Sequence, residues 1–217
     1  MSHETIYSNI YLWPMSKLLE SVTISERLNK QIRFMMEVDK LKTILRRNHI
    51  TSHRRENTAE HSWHITLFAL ILAEYSNHDI DILKVLKMLL IHDIVEIDAG
   101  DTFVYDTIGA LDKAQREQAA AERIFGLLPE DQKKEMQELW QEFEQRETAE
   151  SRFAAALDRL NPMLMNVYSD GKTWIDHSIS VQQVYNHNKH ISEGSQELWD
   201  FAQQLIEFAA EQHFLQR

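Results

Sequence analysis

Met88-Leu89-Leu90-Ile91-His92-Asp93-Ile94-Val95-Glu96 places a His-Asp pair inside an otherwise apolar run with helical character. Burying an imidazole and a carboxylate together is expensive unless something pairs with them. Neighbouring helical residues point about 100° apart, so the two side chains do not naturally pair with each other. They can converge instead on a third object between helices. A divalent metal fits, because neutral imidazole and carboxylate are both good ligands for one. Glu96 lies four residues after His92 and three after Asp93, which puts it on the same helical face.

Working outward, the spacing predicts one helix from Asp81 to Glu96, with Gly100 as a stop. Before it, Asn57-Thr58-Ala59-Glu60 reads as a helix start, with Asn57 as N-cap and Glu60 three residues on. The helix that follows, His61 to Ala73, is apolar nearly all round and is expected to be central and buried. His61 sits in its first turn; His64, one turn further, reads as a core residue rather than a ligand. After the pair, Asp158 interrupts the apolar run of a helix from Thr148 to about Val167. A buried Asp needs a partner, either Arg159 or Arg152 or a shared ion. Pro162 is expected to kink or restart that helix.

The remaining pattern is helical too. Helices are expected over Ser25 to about Arg46 (Leu28, Ile32, Met35, Met36, Val38, Leu41 and Leu45 as its stripe), Asp106 to about Phe125, Asp131 to Arg146, Ser180 to His190 and Ser195 to about Phe214. With five Gly and three Pro among 217 residues, composition disfavours a β-sandwich. The expected fold class is all-α: a single helical bundle of roughly seven to nine helices over 23–217. An N-terminal arm, 1–22, carries the short apolar segment Ile10 to Met15. No repeat or linker divides the chain.

The chain has no Cys, which excludes disulfides and thiolate metal sites and fits a reducing cytoplasm. Net charge of −11 opposes binding of a nucleic-acid polymer. No secretory signal or membrane span is read from the sequence. Against this acidic background Arg46-Arg47-Asn48-His49-Ile50-Thr51-Ser52-His53-Arg54-Arg55 holds four Arg and two His. Alone, such a run is a solvated loop. Beside a metal site it becomes a pocket for a phosphate.

His61, His92, Asp93 and Asp158 from three helices form the N/O ligand set of a hydrolytic metal site. The order H…HD…D is the signature of HD-domain metal-dependent phosphohydrolases. Three blocks carry the resemblance: Glu56-Asn57-Thr58-Ala59-Glu60-His61-Ser62, Ile91-His92-Asp93-Ile94-Val95-Glu96-Ile97-Asp98-Ala99-Gly100-Asp101, and Ala156-Leu157-Asp158-Arg159-Leu160. They resemble the motif blocks of the bacterial 5′-deoxynucleotidases of that family and their HDDC2-like eukaryotic relatives, over about Leu41 to Val167.

The resemblance implies one divalent ion (Mn, Co, Mg, Zn, Ni or Fe) held by His61, His92, Asp93 and Asp158. Asp93 could bridge to a second ion, although there is no second HD pair. Glu96 matches a catalytic carboxylate suited to general acid work. Asp101 matches a residue near the sugar, and Arg46 an arginine near the phosphate. Arg47 stands where these enzymes typically carry a Trp that helps reject a ribose 2′-OH. The expected function is hydrolysis of a phosphomonoester, a (deoxy)nucleoside 5′-monophosphate, by a metal-bound water. Glu96, Asp101 and Arg46 are the catalytic set, with Arg47, Arg54 and Arg55 joining Arg46 and Asp101 at the substrate. Rival expectations are hydrolysis of nucleoside triphosphates or cyclic phosphodiesters, and a non-catalytic metal-stabilised nucleotide-binding protein. A homodimer is expected by resemblance and by the base rate for soluble oligomers.

Overall fold

Asn57 starts the helix that frames the site. Its side chain accepts a hydrogen bond from Glu60 N, and the Glu60 carboxylate accepts one from Asn57 N, closing a capping box. In this computed structural model, which describes residues 23–217, the order is α1 (Glu26–Val38), a 3₁₀ turn (Asp39–Thr43), β1 (Leu45–His49), β2 (Arg55–Asn57), α2 (Thr58–Leu72), α3 (Ile82–Ile91), α4 (Glu96–Ala99), α5 (Lys113–Phe125), α6 (Glu130–Gln145), α7 (Ala149–Tyr168), α8 (Lys172–Asp176), α9 (Val181–Asn188), α10 (Ile191–Gly194) and α11 (Gln196–Glu211). Residues 1–22, including the expected arm and its Ile10–Met15 segment, lie outside the described residues.

The all-α expectation holds apart from one small hairpin. Helix α7 is the hub: it packs against α2, α3, α6, α10 and α11. Its buried residues run from Ser151 to Asn166. Thr148 and Ser151 form its capping box. Pro162 does not restart α7. It costs the Asp158 carbonyl its i+4 donor, but the helix is packed on so many sides that it runs through. Gly194 lets α10 close on α7, since a Cβ there would stand 2.4 Å from the Arg152 carbonyl oxygen. One buried apolar cluster extends from Phe34 to Leu215. Among the described residues no helix is long and apolar enough to cross a membrane.

Four expectations are corrected. The first helix stops at Val38, and the chain from Leu45 pairs as a strand. Helical spacing there gave way to tertiary pairing: Leu45 faces Asn57 across an antiparallel ladder, and Thr58 N donates to Ile44 O. The apolar stripe of α1 is largely exposed, with Met35 at 60%, while Phe34 carries the burial. Helix α2 is not buried all round. Thr58, His61, Ser62, Ile65 and Ala69 face inward, while Trp63 and Ile71 are 62% and 72% exposed. A helix with apolar residues on every side gives no signal for which face is inside. The helix expected from Asp106 begins only at Lys113, because the Asp106 side chain instead accepts from Ile108 N and Gly109 N and holds a turn.

The fourth correction shapes the site. α3 does not run through to Glu96; it ends at Ile91. Ile94 N bonds Ile91 O, Glu96 N bonds Asp93 O and Ile97 N bonds Ile94 O, so the chain tightens into i→i−3 turns over the His-Asp pair. Gly100, at φ +74°, closes α4.

Candidate metal centre

The tightened turn brings together what a straight helix would hold apart. His92 Nε2 lies 3.1 Å from Asp93 Oδ2 and 3.6 Å from Asp158 Oδ1. His61 Nε2, from the first turn of α2, lies 2.9 Å from the same Asp158 oxygen. His61, His92 and Asp158 are all buried, and each offers a ligand atom within 4.8 Å of the others. Asp93 borders this group, but its Oδ2 also accepts from Arg46 Nη1 at 2.9 Å. Arg159, the neighbour that could have accounted for Asp158 by itself, does touch it, with Nη2 at 3.3 Å from Oδ2. The Asp158 oxygen facing the histidines is the other one.

The donor set fits a divalent cation. The Nδ1 of His92 stands 3.0 Å from the Leu89 carbonyl oxygen, which can only accept, so that nitrogen carries the hydrogen. Nε2 then turns its lone pair toward two carboxylates. It is buried and lacks an aligned hydrogen-bond partner. Lone pairs converging in a buried space need a positive charge among them. Without one the proton must serve: burial works against a charged His92, but Asp93 and Asp158 push it up to about 10. His61 goes the other way, lowered to about 4 by burial and then by Arg46. Burial would raise Asp158, but Arg159 and the two histidines hold it well below the usual carboxylate range.

Arg46 reaches inward from β1 and is only 14% exposed. It lines one cavity together with Asp93, Glu96, Asp101 and Asp158, and Arg47 stands at the same cavity. Glu96 is buried and accepts from Thr58 Oγ1 at 2.8 Å. Burial, then Asp93, raises its pKa well above the usual carboxylate value. Asp101, just past Gly100, is raised mainly by burial. Phe103, Tyr105 and Trp174 supply aromatic surface to the same cavity.

Arg54 and Arg55 are not part of it. Arg54 is committed to Glu60 through both terminal nitrogens, at 2.9 and 2.7 Å. Arg55 donates to the carbonyls of Arg46 and Leu45 and fastens the hairpin. His64 sits beside Asn161, 3.1 Å from its side-chain nitrogen and away from the ligand group. Sequence reasoning missed Thr58, which holds Glu96, and Lys113, a further cation on the cavity wall. It also missed a role for Glu56, 2% exposed, whose Oε2 stands between Arg46 and His61. Burial raises Glu56 to about 7. An acidic residue inside a basic run looks like local charge balance, and only the strand register shows that it points inward.

Comparison with known proteins agrees with this geometry. Residues 38–199 match the family model described as HD domain. The chain belongs to the HD-domain family. Among solved HD-type relatives, a crystal structure of a predicted metal-dependent phosphohydrolase from Magnetospirillum magnetotacticum is 50% identical with a TM-score of 0.85, covering 88% of this chain and 96% of that one. A conserved hypothetical protein from Pyrococcus furiosus, 22% identical with a TM-score of 0.58 over 83% of this chain and 99% of its own, shows the shared fold. The human protein named 5′-deoxynucleotidase HDDC2 is 31% identical over 136 residues, 61% of this chain. The chain spans 65% of that relative's length.

Proposed function

We propose that this HD-domain protein is a divalent-metal-dependent phosphomonoesterase acting on nucleoside 5′-monophosphates. The observation that carries the reading is the convergence of His61, His92 and Asp158 beside the buried Arg46. The name of the human relative supports the substrate class. His61, His92 and Asp158, with Asp93 at their edge, would hold the ion. When bound there, a divalent ion supplies Lewis acidity and activates water for attack on phosphorus.

The chain's own residues supply the rest. Arg46 faces the phosphate with a guanidinium kept charged by Asp93, and neutralises its oxygens as charge develops. Glu96 holds a proton on its carboxyl group, since burial and Asp93 disfavour the anion. As the phosphorus–oxygen bond to the sugar breaks, that proton passes to the departing oxygen. Thr58 fixes the carboxyl in place. Inorganic phosphate and a nucleoside leave. Asp101 and the aromatic wall face the sugar and base. A single folded unit over 23–217, supported by the continuous cluster from Phe34 to Leu215, is part of the proposal. So is a homodimer, to which the exposed Trp63 and Ile71 of α2 lend an apolar surface.

The test is phosphate release from a panel of ribo- and deoxynucleoside 5′-monophosphates with Mn²⁺, Co²⁺, Mg²⁺ or Zn²⁺ added to stripped protein. Turnover is expected with at least one ion. Glu96→Gln is expected to lower kcat by about 10²–10⁴-fold with metal binding retained. A general acid must be protonated, so wild-type kcat should fall as pH rises through the raised Glu96 pKa. That alkaline limb should vanish in Glu96→Gln. No release under any metal, with metal still bound, overturns the proposal.

A further inference from the structure

Among the described residues, seven buried side-chain atoms lack a hydrogen-bond partner, and three of them face one another. Arg46 Nε and His61 Nδ1 each lie 3.6 Å from a single atom, Glu56 Oε2. Neither distance is a hydrogen bond, and each is a few tenths of an ångström from becoming one. Glu56 comes from β2, Arg46 from β1 and His61 from α2, so one carboxylate oxygen sits where three elements meet.

The two nitrogens belong to opposite sides of the proposed chemistry. His61 turns Nε2 toward Asp158 and the metal position, which leaves Nδ1 as the hydrogen-bearing nitrogen pointed at Glu56. Arg46 turns Nη1 toward Asp93 and the cavity, leaving Nε pointed at Glu56. A carboxylate oxygen has two lone pairs and can accept both hydrogens.

We propose that Glu56 is a positioning residue that couples the metal centre to the phosphate-binding arginine: its Oε2 accepts from His61 Nδ1 and Arg46 Nε together, so that fixing His61 fixes Arg46. The inference rests on the phosphomonoesterase reading of the site. It has a thermodynamic consequence. If an ion on the Nε2 side orders Arg46 through Glu56, phosphate must in turn tighten the ion by the same factor. Asp93 offers Arg46 a second link, but it does not touch the far nitrogen of His61. Changing Glu56 therefore removes the route through His61 and leaves the Asp93 route in place.

The experiment measures the Mn²⁺ Kd of full-length protein by chelator competition, with and without saturating inorganic phosphate. In the wild type, phosphate is expected to lower the Mn²⁺ Kd by about 5–150-fold. Glu56→Gln is expected to weaken Mn²⁺ alone by about 10–100-fold, as loss of an outer partner of a ligating histidine does. The phosphate effect should shrink by about fivefold or more, the remainder running through Asp93. Glu56→Leu removes both carboxylate oxygens at similar volume. It should weaken Mn²⁺ and diminish the phosphate effect as Glu56→Gln does, and it carries the test if Glu56→Gln does not fold. An unchanged Mn²⁺ Kd and phosphate effect in Glu56→Gln overturns the inference, as does a wild-type protein whose Mn²⁺ affinity ignores phosphate. Coupling without turnover of any 5′-monophosphate would leave the role of Glu56 standing and remove the proposed substrate class.

Discussion

Arg46 and Arg54 come from the same short hairpin and the same basic run, yet they lie in opposite surroundings. Arg46 is 14% exposed and bonded to Asp93 at the candidate metal centre. Arg54 is half exposed and clamps Glu60 on the outer side of α2. Strand alternation and the register irregularity between Leu45 and His49 turn Arg46 inward, while Arg54 lies in the bend before β2 and is drawn to Glu60 of the capping box. Charge density along a sequence marks where an anion pocket can form. Register decides which of the charges belong to it.

The strongest way to break this comparison is to remove each arginine in turn. Arg46→Ala is expected to lower kcat/KM by about 10²–10³-fold, in line with loss of one preorganised donor to a developing charge. It also leaves Asp93 and Glu56 without their cation, so a stability loss of about 3–5 kcal/mol is expected beside it. Arg54→Ala should change kcat/KM by less than about threefold and cost at most about 1 kcal/mol, as an exposed pair does. Steady-state kinetics and urea melts on the two variants check both values. Equal kinetic losses would put the hairpin's outer face into the chemistry and undo the distinction.

A finer comparison uses Arg47, exposed at the same cavity. Arg47→Trp should raise the preference for deoxy- over ribonucleoside 5′-monophosphates by about tenfold, the scale of a steric contact worth 1–3 kcal/mol. An unchanged ratio of kcat/KM values would show that the sugar is sensed elsewhere, with Asp101 the next residue to change. The smallest effect lies in the cap. Asn57→Ala should cost about 1 kcal/mol and lower Tm by about 2–4 °C. Mn²⁺ affinity should stay within about twofold, the outer face serving folding while the inner face serves binding.

Much of this was legible in the residues. The grouping of His61, His92 and Asp158 survives an error in helix boundaries, because residue type and order along the chain do not depend on where each helix stops. The capping box at Asn57 was legible for a similar reason, since its donors and acceptors lie within four residues. What failed was non-local. The hairpin required pairing of Leu45 with Asn57 and His49 with Arg55, which helical spacing in the first strand concealed. The exposed faces of α1 and α2 could not be read because an apolar side chain does not say whether its neighbour is protein or water. Glu56 reaches Arg46 and His61 through a strand register, and Lys113 reaches the cavity after a long loop; neither leaves a periodic trace.

The two candidate ligand histidines face different kinds of acceptor, and this bears on how the site withstands genetic change. His92 is oriented by the Leu89 carbonyl, a backbone atom that every substitution at position 89 except a change of chain path retains. Drift at that residue alters packing but leaves the acceptor in place. The Nδ1 of His61 faces only the Glu56 carboxylate, which a single base change can erase. One candidate ligand thus takes its orientation from the fold, and the other from a codon.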